Sequence, residues 1–257
     1  MKNYYWLLPV WLLALSSCQK DSANSPGPGT GTGGSLARFT IAANHLYIVN
    51  NNSLAVYNVS TSDNPTKTAT LPLTIGVETI FPYKNNLFIG TQTGMYIYGL
   101  ANPAQPQQLS FFQHVQSCDP VVAQGNYAYV TLRSGSPCRN NNFNSLDIVD
   151  ITNLSQPKLV KSYPMQSPHG LGIDGSLLFV TEGDNGLKVL DVSDPINMKT
   201  VHFFKDVRSF DVIPHNNILI VTGKEGILQY RYQEGGLLAD GTQKEPTINL
   251  LSKLPIE

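Results

Sequence analysis

Charge is scarce in this chain. Aspartate, glutamate, lysine and arginine make up only 14% of its 257 residues, and the formal net charge is −1. A chain so balanced has no basic stripe to meet a phosphate backbone, so nucleic acid is excluded as a partner. Long apolar runs are missing too. The longest, Leu7 to Leu15 and broken by Pro9, is too short to cross a bilayer. Cysteine is rare, with three residues, and none of the strong catalytic signatures occurs: no HExxH, no GxSxG, no GxxxxGK[ST]. The five histidines (45, 114, 169, 202 and 215) show no short-range pairing of the zinc type, and no cofactor or metal is expected. What is plentiful is asparagine, glycine, threonine and tyrosine, residues that suit strands and turns.

Residues 1–17 read as a leader, with Lys2 as a thin positive start before the apolar run. Leu15-Ser16-Ser17-Cys18 resembles the bacterial lipobox, which implies cleavage before Cys18 and acylation of its thiol. The following Gln19-Lys20-Asp21 is similar to the charged export tag on surface lipoproteins of Bacteroidetes-type bacteria. Together they imply a membrane partner through Cys18 and an outer-membrane, surface or periplasmic location. Residues 18–35 end in SANSPGPGTGTGGS, which has no apolar group to bury and reads as a flexible tether. Its formal GxGxxG match has no strand before it and no helix after it, so the dinucleotide reading fails.

Residues 36–257 repeat. Five apolar, β-branched or aromatic runs begin at Leu46, Leu87, Ala128, Leu178 and Leu219, stepping by 41, 41, 50 and 41 residues. A second landmark, at Leu54, Met95, Leu146, Leu187 and Ile227, keeps nearly the same step. A period near 40 with four short strands per period marks a β-propeller blade. The expected fold is therefore all-β: a five-bladed β-propeller of four-stranded antiparallel blades, lettered A to D from the channel outwards. The chain starts in an A strand and stops in a D strand, so closure would rest on blade one packing against blade five without a shared strand. The third strands LDIVDIT at Leu146 and LKVLDVS at Leu187, with Asn/Asp-Pro turns at Pro65, Pro103 and Pro195, resemble the LVIVD repeat of bacterial and archaeal cell-surface proteins. The resemblance implies a propeller at the cell surface and carries no established activity.

Two insertions interrupt the period: Arg133 to Ser145 in blade three, and Gln233 to Glu245 in blade five. Cys118 and Cys138 fall in loops on one face of blade three, and in an exported chain two such cysteines are expected to form a disulfide. Two free thiols or half a metal site remain open. A bridge of this size would stabilise by roughly 3 kcal/mol and pin the Asn-rich loop.

Aligning the blades places Glu78, Asp119 and His169 at the start of strand A, ringing the channel mouth, with Arg38 and either Arg208 or Asp211 as counterparts. Arg133, Glu182 and Asp184 lie in loops on the same face. These residues are the candidate ligand-binding crown. The competing reading is a wet channel mouth whose polar groups need no partner. His45, His114, His202 and His215 read as solvated or edge-strand histidines. Asp150 and Asp191 read as Asx-turn caps, and the turn from Glu182 to Gly186, without a closing glutamate, reads as a hairpin rather than a calcium loop. Three functions follow. The first is an envelope binding module for a glycan, peptide or envelope protein. The second is a hydrolase or lyase with Asp119 or Glu78 as acid/base and His169 as its partner or as a metal ligand. The third is a purely structural envelope protein.

Overall fold

The computed structural model describes residues 34–114, 120–135, 144–237 and 243–255. Cys18 and the tether before Gly34, Asp119, and the expected Cys118–Cys138 bridge lie outside the described residues.

The five repeats fold as five four-stranded antiparallel sheets, each paired in chain order from the hub outwards. Blade one is β1 (Phe39–Ala42), β2 (His45–Val49), β3 (Ser53–Asn58) and β4 (Thr66–Pro72). Blade two is β5 (Val77–Tyr83), β6 (Asn86–Thr91), β7 (Gly94–Gly99) and β8 (Gln107–Gln113). Blade three is β9 (Val121–Gln124), β10 (Tyr127–Leu132), β11 (Ser145–Asp150) and β12 (Lys158–Pro164). Blade four is β13 (Leu171–Asp174), β14 (Leu177–Thr181), β15 (Leu187–Asp191) and β16 (Lys199–Phe204). Blade five is β17 (Ser209–His215), β18 (Ile218–Gly223), β19 (Gly226–Gln233) and β22 (Thr247–Leu254), with a small ribbon of β20 (Gly236–Leu237) and β21 (Gln243–Lys244) inside its insertion. Among the described residues no helix is long and apolar enough to cross a membrane.

One packing rule joins the blades. The second residue of each B-strand run points forward into the next blade, while the first and third point back. Tyr47 meets Leu87 and Ile89, and Phe88 meets Ala128 and Val130. Tyr129 meets Leu178 and Val180, and Phe179 meets Leu219 and Val221. All twelve are buried, so each junction is a dry wedge with an aromatic ring at its centre, the arrangement that removes most apolar area from water.

The third strand of every blade slips register against the fourth at the same repeat position: Val56/Tyr57, Ile97/Tyr98, Ile148/Val149, Val189/Leu190 and Gln229/Tyr230. Such bulges strengthen the local twist. The turns that follow are closed as the sequence suggests. Asp150 Oδ1 accepts from Thr152 N at 2.8 Å, and Asp191 Oδ1 from Ser193 N at 2.9 Å. The Glu182–Gly186 turn is a hairpin between β14 and β15. His45 departs from expectation. It opens β2 and is buried, with Nδ1 2.8 Å from the Ala43 carbonyl, because the A-to-B turn folds its ring back onto the sheet instead of into solvent.

The expected closure is corrected as well. Four hydrophobic clusters join blades one to two, two to three, three to four and four to five; none of the four spans five and one. Instead, a strap of Gly34, Ser35, Leu36 and Ala37 crosses the hub. Ser35 is buried and its hydroxyl accepts from Leu171 N of blade four at 2.7 Å. The Ala37 carbonyl accepts from Ile80 N of blade two at 2.9 Å. Gly34 lies against the Asp211 carboxylate of blade five, where a Cβ would come within 2.3 Å of Oδ2.

Candidate functional site

The strap covers one end of the channel, and beside it lies a cavity of about 110 Å³ lined by Leu36, Glu78, Pro120, Arg133, Pro168 and His169. Each wall comes from a different blade. Glu78 stands on β5, Arg133 follows β10, and His169 precedes β13. The chain before β13 is fixed by its backbone: His169 N donates to Thr181 O at 2.7 Å, and Thr131 Oγ1 of blade three donates to His169 O at 2.9 Å.

Arg133 Nη1 sits 2.7 Å from His169 Nε2, and His169 Nδ1 sits 2.8 Å from Ser167 O. A guanidinium only donates and a carbonyl only accepts. The imidazole is therefore neutral, with its proton on Nδ1 directed at Ser167 and its lone pair on Nε2 directed at Arg133. Burial, then the Arg133 charge, holds the imidazole below its ordinary pKa. Burial also lowers Arg133, offset in part by the Glu78 carboxylate. Glu78 lies 3.6 Å from Arg38 Nη2 at the rim. Phe210 packs its ring 5.6 Å from the imidazole. Gly183 backs the imidazole, with φ +59° and so close that a Cβ would stand 2.6 Å from His169 Cε1. Only glycine meets both conditions without strain.

Glu182 does not face the channel. Its side chain is fully buried, which corrects its expected place in an open crown. One carboxylate oxygen accepts from Gln166 N at 2.9 Å and Ser167 N at 2.7 Å; the other pairs with Lys188 Nζ. Glu182 thus sets the loop that presents Pro168 and His169, a positioning role. Asp184 stays exposed in the neighbouring turn, where its charge acts on His169 only weakly, as the last of the contributing causes. Asn144 closes the base of the long blade-three loop, its Oδ1 accepting from Ser134 N at 2.6 Å and Ser134 Oγ at 2.8 Å. Asp119, expected in the same ring, lies outside the described residues.

Asp211 is the residue the sequence left least certain. Its carboxyl is buried beneath the strap, receives the Ser35 hydroxyl, and is pushed up to about 6 by desolvation. Its Oδ1 has no hydrogen-bond partner among the described residues. The structure thus gathers Glu78, Arg133 and His169, adds Leu36, Pro120 and Pro168, and sets Asp211 just under them. Leu36 and Ser35 escaped sequence reasoning because they end a run of glycine and serine. The one available signal was Leu36 itself, the first apolar residue after that run. Among the described residues, no three histidine, cysteine or carboxylate side chains converge as a metal set.

Comparisons agree with this architecture. The LVIVD repeat model matches residues 117–164 and 169–205, which correspond to blades three and four. Among solved structures, the periplasmic gluconolactonase PpgL of Pseudomonas aeruginosa superposes with a TM-score of 0.58 at 14% identity, over 83% of this chain and 69% of that one. The computationally designed Ika8 protein gives 0.57 at 13%, over 83% and 70%. BamB from Moraxella catarrhalis gives 0.53 at 9%, over 74% of this chain and 54% of its own. At such identities the likeness concerns fold alone. No curated protein resembles the chain closely enough in sequence to count as a relative. A propeller of this kind is in general a scaffold for interaction and binding. Five four-stranded blades make this chain a five-bladed β-propeller, and its third and fourth blades match the LVIVD repeat.

Proposed function

We propose that this chain is a lipid-anchored envelope protein whose hub binds a small group presented by a glycan, a peptide or another envelope protein. The observation that carries the reading is the Arg133–His169 pair, 2.7 Å apart on the wall of a half-enclosed cavity between prolines and Leu36. A few directed polar groups on an otherwise apolar wall are the usual make-up of a small-ligand site. Both nitrogens of His169 are engaged, one by Arg133 and one by Ser167. An imidazole used in this way holds a geometry rather than relaying a proton, which favours binding over the hydrolase or lyase reading. Anchoring at Cys18 rests on the lipobox resemblance and on the polar run that follows it.

The test is a glycan array and a peptide library probed with wild type and with Arg133→Ala. A ligand retained by wild type and weakened at least tenfold in the variant supports the reading. A ligand bound equally by both refutes this site. For the anchor, metabolic labelling with an alkyne fatty acid should mark wild type and leave Cys18→Ser unmarked; unlabelled wild type refutes it.

A further inference from the structure

Two amides in the A strands of different blades end on the strap. Leu171 N of blade four donates to Ser35 Oγ at 2.7 Å, and Ile80 N of blade two donates to the Ala37 carbonyl at 2.9 Å. Between these fixed points stands Leu36, 43% exposed, which forms one wall of the cavity at Arg133 and His169. The strap therefore decides whether that cavity is closed on this side.

Against blade five the strap meets a carboxyl. Asp211 has glycine on both sides: a Cβ would come within 2.3 Å of Oδ2 from Gly34 and 2.2 Å of Oδ1 from Gly170. Neither neighbour brings a donor side chain. The carboxyl receives the Ser35 hydroxyl and the Val212 amide, while Oδ1 is buried with no hydrogen-bond partner among the described residues. An ionised carboxylate so placed is poorly solvated, whereas the neutral acid carries no charge to solvate. Ser35 couples this carboxyl to the strap, because the hydroxyl that it donates to Asp211 is also the acceptor for Leu171.

No other charge sets the state of Asp211. Arg38 pairs with Glu78, Arg208 with Glu225 and Lys188 with Glu182. The neutral imidazole of His169 faces Arg133. Asp174 and His215 end β13 and β17 on the far side, and Asp184 and Lys224 stand exposed in turns. None of these contributes to the Asp211 carboxyl, which answers to burial first and then to its two donors.

We infer that the strap is a proton-sensitive latch on the hub: it lies closed while Asp211 is protonated, and ionisation of that carboxyl loosens it and opens the cavity at Arg133 and His169. The gating role rests on the binding proposed for the hub; the latch itself does not. Under the closed strap the carboxyl is pushed up to about 6, and once the strap lifts it returns towards the ordinary 3.8. The closed state thus holds the proton more tightly. Closure is firmest below about pH 4, weakens as pH rises to about 6, and is constant above that.

Amide hydrogen exchange in the full chain, followed by NMR and corrected for intrinsic rates, tests this without a ligand. Leu171 and Ile80 should be less protected than Phe88 and Phe179 in the dry junctions and respond little to urea, the mark of a local opening. Their protection should fall together by about three- to 25-fold between pH 4.5 and 7.5. In Asp211→Asn that fall should vanish. Protection equal to that of Phe88 and Phe179 would mean that the strap lifts only when the propeller unfolds, and would overturn the latch. So would protection independent of pH, a fall in Leu171 without Ile80, or a fall that persists in Asp211→Asn. A working latch with no hub ligand sinks the binding proposal alone, and a hub ligand beside amides that ignore pH sinks the latch alone.

Discussion

Replacing Asp211 with asparagine should stabilise the propeller at neutral pH. The carboxyl lies under the Gly34–Ala37 strap, and burial pushes it up to about 6 from an ordinary 3.8. A raised carboxyl means that the folded chain holds its proton more tightly than the unfolded chain. The stability of wild type therefore falls as pH rises from about 4 to about 6, and the cost is then constant above that window. The gap corresponds to roughly 3 kcal/mol at most, and water in the channel brings the expected gain to about 1–3 kcal/mol. Asparagine has nearly the same shape, keeps an oxygen to accept the Ser35 hydroxyl, and carries no charge to desolvate. Urea unfolding of both proteins at pH 4.5, 5.5, 6.5 and 7.5 measures the difference directly. The variant should lead by about a third of the full gap at pH 4.5, and the curves should separate further towards pH 7.5. Parallel curves, or a variant less stable at pH 7.5, would refute the claim that Asp211 is charged and poorly solvated beneath the strap.

Other positions make separate claims. Ser35→Ala removes the acceptor from the buried Leu171 amide and should cost about 1–3 kcal/mol by urea unfolding; no loss would mean the strap is dispensable. Gly183→Ala places a methyl 2.6 Å from His169 at φ +59°, so it should destabilise by about 1–3 kcal/mol and displace the imidazole signal in an NMR spectrum. Glu182→Ala leaves the half-buried Lys188 without its carboxylate and frees the Gln166–Ser167 turn. A loss of about 3–5 kcal/mol is expected, and a loss under 1 would contradict the buried pair. Arg133→Ala removes a charge that lowers His169, so the imidazole should titrate at higher pH by NMR; an unchanged midpoint would place the guanidinium elsewhere.

The blades were legible because each repeat writes its packing into three consecutive residues. An aromatic between two aliphatics, as in Leu87-Phe88-Ile89 or Leu178-Phe179-Val180, fixes both the strand and the two neighbours it must touch. The gap between blades five and one is visible in the same code, once Ile220 and Gln229 are compared with their counterparts. The site was legible only where repeat position decides it, as for Glu78 and His169. Glu182 has the right position for a crown residue, but its burial depends on Lys188 and on the turn at Gln166, contacts that spacing alone does not reveal. Ser35 was hidden for a different reason. A serine after a glycine run looks solvated, and only the Leu171 amide and Asp211 across the hub give it a buried role.

The register slip shared by all five third strands bears on how the molecule behaves among its own copies. Each blade ends in a solvent-facing strand with an unused row of amides and carbonyls, the template on which fibrils grow. A kink at the same height in every neighbouring strand coils those rims, so that a straight foreign strand could match only a few rungs before diverging. A disc with five such rims can crowd on a surface without zipping edge to edge, which leaves flat-face contacts as its route to association.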